Sequence, residues 1–199
     1  MNEDEGARDD SPEVTGRSDD AATEPAEPID LDADQAADAA ALQDFWEAAR
    51  MRTGITRTAV VTGMSAEATL PPPAWSFGDN PELADQLLDL VLAGTKTATA
   101  TSLAELEQAG EPVPGRGDLS IVLDGAGHPR ALIRTTDVQV LAFRDVTEEQ
   151  AAAEGEDDRS LASWRREHST YFRRVLAGGG AEFSEDLPVA IETFELLYP

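Results

Sequence analysis

Cysteine is absent from this chain, which excludes a disulfide framework, a thiolate metal site and a cysteine nucleophile. Only two histidines, His128 and His168, are present, so a histidine-rich metal centre is excluded as well and no metal or other cofactor is expected. No apolar run reaches the roughly 18 residues needed to span a bilayer, and the acidic N-terminus is unlike a signal peptide. The expectation is a soluble cytoplasmic protein without a membrane partner. Positive charge is scarce: 15 Lys and Arg face 40 Asp and Glu, for a net charge of −25. Residues 1–44 carry −13 of this and residues 45–199 carry −12, so the part able to fold is itself acidic. A protein of that charge has no long-range attraction for polyanions, and tight nonspecific binding of nucleic acid is not expected.

Lysine is the scarcest basic residue. Lys96 is the only one, against fourteen arginines. Arginine is a planar fork that stays charged, whereas lysine is a compact amine whose pKa responds to burial, so it can act as a base or nucleophile. Lys96 sits in Gly94-Thr95-Lys96-Thr97-Ala98-Thr99, where small and hydroxyl side chains leave room for a ligand. In a regular strand Lys96 and Thr99 would face opposite ways; across a turn they could share a site. Gly94 is placed as the residue after a helix C-terminus, which makes a turn plausible here, and the β-branched threonines then favour a strand.

The first 40 residues are mostly Asp, Glu, Ala, Pro and Ser with few large apolar side chains, and are read as a disordered acidic tail. An extension over residues 41–74 follows, with a helix from Ala41 to Met51 and a strand from Thr58 to Thr62. The main domain spans residues 75–199. Within it Asn80 caps, and Pro81 opens, a helix running to Ala93 whose Leu83, Leu87, Leu90 and Val91 face the core. Leu103–Gln108 reads as a short helix, and Leu119–Leu123 and Arg130–Phe143 as a hairpin of strands turning at Asp124–Gly127. Thr147-Glu148-Glu149-Gln150 is a capping box for another short helix, Ser160 caps a longer one, and Val189–Leu197 is the last strand. Strands scattered among short helices without a βαβ rhythm indicate an α+β fold, a small barrel or curled sheet flanked by helices.

Several longer stretches resemble the ASCH domain, a β-barrel family related to the PUA RNA-binding fold. The signature G-x-K-x-x-T-x-R is matched by Gly94, Lys96 and Thr99, with Thr101 at the arginine position. WSFGDNPELADQLLDLVLAGTKTATA, GRGDLSIVLDGAGHPRALIRTTDVQV and EGEDDRSLASWRREHSTYF look like the larger bacterial branch. The resemblance covers roughly Trp75 to Pro199 and implies a substrate cleft on a PUA-like barrel. Some small members hydrolyse the amide of N4-acetylcytidine with a lysine and a threonine of the signature and a glutamate from a short helix; others are described as RNA-cleaving. Carried over, these are Lys96, Thr99 and Glu154, the last through a T-E-x-x-A-x-x-E pattern at Thr147, Glu148 and Ala151.

On that reading Thr99 is the nucleophile, Lys96 its base and Glu154 a proton shuttle. Lys96 must then be partly neutral, which requires desolvation or a cationic neighbour such as Arg134, unless Arg134 pairs with one of the many acids; alternatively Lys96 stays charged and stabilises an oxyanion or phosphate. Phe77, Asp79, Arg134, Trp164 and His168 are the candidate substrate-binding residues. Trp164 and His168 lie one helical turn apart and form either a core face or a cleft wall on which a base stacks. Two function classes follow: a hydrolase of a small substrate such as a modified nucleoside, or a module that cleaves or binds single-stranded RNA.

Overall fold

The proline-rich approach and the Asn-Pro pair after it do what their local chemistry requires. In the computed structural model, which describes residues 31–55, 70–178, 180 and 182–199, strand β1 (Ala74–Trp75) follows the prolines directly. Helix α2 (Pro81–Leu92) then opens on Asn80, whose side-chain oxygen accepts the Leu83 amide at 2.9 Å. Before these, helix α1 spans Leu31–Thr53, beginning ten residues ahead of the expected Ala41 start. The expected strand at Thr58–Thr62 lies outside the described residues, as do residues 1–30 of the acidic tail.

Strand β2 (Ala98–Ser102) runs into helix α3 (Leu103–Ala109), with Ser102 and Glu105 forming a reciprocal capping box. Strands β3 (Leu119–Leu123) and β4 (Pro129–Ala142) form the hairpin, followed by a 3-10 turn at Phe143–Asp145. Helix α4 (Glu148–Glu154) starts at the Thr147–Gln150 capping box and stops at Gly155, which is left-handed at φ 74°. Helix α5 (Leu161–Gly178) begins at Ser160, whose hydroxyl accepts the Ser163 amide, and strand β5 (Pro188–Tyr198) closes the chain.

The strands form one sheet in the order β1-β3-β4-β5-β2, antiparallel except for β1 against β3. The hydrogen-bonded order ends at β1 and β2, so the sheet is open rather than a closed barrel. Register shifts at Leu132/Ile133 and Thr135/Asp137 interrupt the β4–β5 ladder, and such bulges bend a long strand. This is the expected α+β fold in its curled-sheet form.

Both faces of the sheet are covered, and alternation along single strands shows how. Ile121 and Leu132 pack with Trp46 and Ala49 of α1, while their neighbours Val122, Ala131 and Ile133 pack with Leu87, Leu88 and Val91 of α2. A third cluster joins Trp164, Phe172 and Leu176 of α5 to Phe143, Val189 and Ile191. Helices α2 and α5 are thereby fixed on the sheet with a cleft between them. Among the described residues, no helix is long and apolar enough to cross a membrane.

Candidate active site

Lys96 is placed by the end of α2. Gly94 takes a left-handed φ of 70°, and the amides of Thr95 and Lys96 both donate to the Leu90 carbonyl, at 2.9 and 3.0 Å. The chain thus turns sharply before β2 begins at Ala98. That turn removes the strict strand alternation between Lys96 and Thr99, and both line one cleft of about 440 Å³. Phe77, Asp79, Glu154, Glu156 and His168 line it as well.

The lysine is 2 % exposed and is among the largest fully buried side chains of the described residues. Its Nζ donates to Glu154 Oε2 at 3.1 Å and to Glu156 Oε1 at 2.6 Å, and it lies 5.2 Å from the Phe77 ring centre. Burial alone would lower the pKa of this amine, but the two carboxylates outweigh it, and the pKa is raised above its ordinary 10.5. Lys96 is therefore an ammonium at neutral pH. The partly neutral base expected from the sequence does not match this environment.

Glu154, the last residue of α4, is completely enclosed by donors. Besides Lys96, Trp164 Nε1 donates to its Oε1 at 2.6 Å, and His168 Nε2 lies 3.4 Å from the same oxygen. Burial would raise the pKa of this carboxyl, yet Lys96, His168 and the indole N–H overcome it and lower the pKa to about 2. His168 stands between two acceptors, Glu154 on one side and the Trp164 carbonyl at 3.1 Å from Nδ1 on the other. Burial disfavours its charge, but Glu154 raises its pKa above 6.5, as a ring donating from both nitrogens requires.

The turn after α4 brings Glu156 to Nζ as well. Gly155 is needed there twice over: its φ is positive, and a Cβ on it would lie 2.6 Å from the Thr95 carbonyl oxygen. Asp157 and Arg159 also adopt positive φ, 46° and 63°, so this short turn is strained at two non-glycine positions. The Arg159 guanidinium donates to the Ala152 carbonyl and Asp157 accepts from Ser163, tying the turn to both helices.

The remaining candidates divide. His168 lines the cleft and completes the Glu154 network. Phe77 lines it while packing in the α2 cluster, edge-on to Trp75. Asp79 lines it too and pairs with Arg174 of α5. Trp164 does not line the main cleft; it is 5 % exposed, stacked on His168 and packed on Phe143, so of its two readings the core face is the one that its surroundings match, and not the wall on which a base stacks. Arg134 is also elsewhere: its register partner on β5 is Glu195, which it meets at 2.8 Å on an exposed stretch of sheet. It is not the cationic neighbour of Lys96. Sequence reasoning missed Glu156, and the one available signal was the glycine inside Glu154-Gly155-Glu156, which permits a turn that aims two glutamates at one point.

Six carboxylates line the cleft, against the cationic or protonatable Lys96, His168 and Arg174. The ammonium of Lys96 occupies the point on which Glu154 and Glu156 converge. Among the described residues no group of His, Cys, Asp or Glu is arranged to hold a metal ion.

The α+β fold with its open five-stranded sheet is similar to that of a solved ASCH domain. The family model for the ASCH domain matches residues 73–198, and the chain belongs to this family. Protein EF3133 from Enterococcus faecalis is similar in structure, with a TM-score of 0.66 and 31% sequence identity over 80% of this chain and 89% of that one. An ASCH domain from Lactobacillus crispatus is similar at a TM-score of 0.61 and 30% identity, over 75% of this chain and 96% of that one. No curated protein matches the chain.

Proposed function

We propose that this ASCH protein is an amide hydrolase whose substrate is a small uncharged acylated nucleoside of the N4-acetylcytidine kind. The observation that carries the reading is the Lys96 ammonium, fixed by two carboxylates at the foot of a cleft that Thr99 also lines. A preorganised cation in a site shielded from water stabilises the oxyanion formed when a carbonyl is attacked. Thr99 supplies a hydroxyl nucleophile on the adjacent strand, and Phe77 an aromatic wall. The excess of carboxylates favours a nucleoside over a nucleotide, because each phosphate would enter a field of its own sign. The same excess disfavours an RNA strand, the other function class.

Purified protein incubated with N4-acetylcytidine is expected to release cytidine and acetate, with Thr99→Ala reducing kcat by roughly a hundredfold or more. The 5′-monophosphate of the same nucleoside is expected to be the poorer substrate. Cleavage of labelled single-stranded RNA, with no release from acylated nucleosides, replaces this reading with the nuclease.

A further inference from the structure

We infer that Glu156, rather than the buried Glu154, is the residue that accepts and returns the proton during amide cleavage. The inference rests on the amidase reading of the cleft and assigns a role that the lysine–threonine–glutamate pattern does not contain.

The two carboxylates on Lys96 differ in what remains available to them. Glu154 is 2 % exposed at its side chain, accepts from Lys96 and the indole of Trp164, and faces His168 across 3.4 Å. Its nearly unexposed carboxylate already faces three donors, Lys96, Trp164 and His168, so it holds and orients Lys96. Glu156 has one oxygen on Lys96 at 2.6 Å, its side chain is 28 % exposed, and it lines the cleft. The only hydrogen bond of its carboxylate among the described residues is that to Lys96. Both carboxylates border the cleft, but Glu156 is the more exposed and has the fewer partners, so it is the one that a reacting group meets more readily.

The turn that presents it is held on several sides. Gly155 fits only because it lacks a Cβ against the Thr95 carbonyl, and the positive φ of Asp157 and Arg159 is maintained by side-chain bonds to α4 and α5. Strain held in place around one side chain is the cost of fixing that side chain's position.

The reaction balances as follows. The Thr99 hydroxyl oxygen bonds to the acyl carbon, and its proton passes to Glu156. The carbonyl electron pair moves to oxygen, where Lys96 stabilises the charge. Collapse re-forms the carbonyl and breaks the C–N bond, and the departing nitrogen takes the proton from Glu156. The products of this half are the free amine and an acyl ester on Thr99. Water then attacks the ester, again giving a proton to Glu156, which passes it to the departing Thr99 oxygen as the acid is released.

The test compares Glu156→Gln and Glu156→Ala with the parent protein on N4-acetylcytidine, with added formate as a replacement carboxylate. Thermal melts and cytidine binding by calorimetry report folding and the intact pocket. The expected result is a loss in kcat of roughly a hundredfold or more in both variants, the usual range for removal of a general base. Cytidine affinity is expected to stay within roughly threefold, since Lys96 is still held by Glu154. Formate should restore part of the rate in Glu156→Ala, not in Glu156→Gln, where the amide fills the space. Near-parent kcat in a folded Glu156→Gln, or a loss in Glu156→Ala that formate does not relieve, overturns the assignment while leaving the amidase intact. Absence of hydrolysis by the parent protein across acylated cytidines overturns both.

Discussion

A Cβ at position 155 would lie 2.6 Å from the backbone oxygen of Thr95, and the nearest atoms are all backbone, with no flexible side chain to yield. With the positive φ added, Gly155→Ala is expected to cost about 2–3 kcal/mol in chemical denaturation, at the upper end for one strained residue. A change below about half a kcal/mol would show that the two segments are not held together as described. Lys96 is under a different constraint. A lysine on a cleft wall could be removed without harm to folding, but this one neutralises a fully buried glutamate. Lys96→Met, similar in volume and uncharged, is expected to destabilise by about 3–5 kcal/mol, the range for stripping one partner from a buried ion pair. Retention of the parent melting temperature would mean that Glu154 is protonated or solvated instead.

Residue-scale electrostatics also fix the pH dependence. The pKa of Glu154 is lowered in the folded state, so its contribution is present above the ordinary carboxyl value of 4.5 and is lost as pH falls from there toward about 2. His168 has the opposite sign: its pKa is raised, so its contribution is complete below 6.5 and declines as pH rises through the folded value. Thermal melts should therefore show a decline on the acid side below about 4.5 that is much reduced in Glu154→Gln. An equal acid decline in that variant would assign the effect to other carboxylates.

At the scale of elements, α4 is seven residues long, too short to persist without its caps and its packing. Thr147 accepts the Gln150 amide while the Gln150 side chain accepts the Thr147 amide. Thr147→Ala is expected to cost about 1 kcal/mol and, because Glu154 ends the same helix, to lower activity more than a surface substitution of equal cost. Unchanged activity with the full loss of stability would separate the cap from the site. Such devices were legible in the sequence because they are local: Asn80-Pro81, the Thr147 box and Gly94 each satisfy backbone groups within four residues. What joins Lys96 to Glu154 and Glu156 was only half legible, since it depends on two segments about sixty positions apart. Trp164 and Arg134 each kept two readings open for a related reason. Helical spacing put Trp164 beside His168 but could not tell an inward ring from a cleft wall, and Arg134 was resolved only by the register that sets Glu195 opposite it.

For the whole molecule, strands scattered among short helices predicted an α+β sheet but not whether it closes, because closure depends on which strands pair at its edges, and such pairings join segments far apart in sequence. The acidic balance, by contrast, was readable at once and persists in the cleft lining. Single-stranded RNA is accordingly expected to bind more weakly than about micromolar at physiological salt, as measured by fluorescence anisotropy. Tighter binding that falls steeply with added salt would require a basic surface among residues other than those lining the cleft.

The central claim is that Lys96 works as a fixed ammonium, and because it is the only lysine it can be observed without assignment. Protein labelled with nitrogen-15 lysine gives one side-chain signal, whose shift and attached-proton count distinguish ammonium from amine. The account predicts an ammonium through neutral pH, losing its proton only above 10.5. A neutral amine near pH 7 would contradict it and return Lys96 to the role of base.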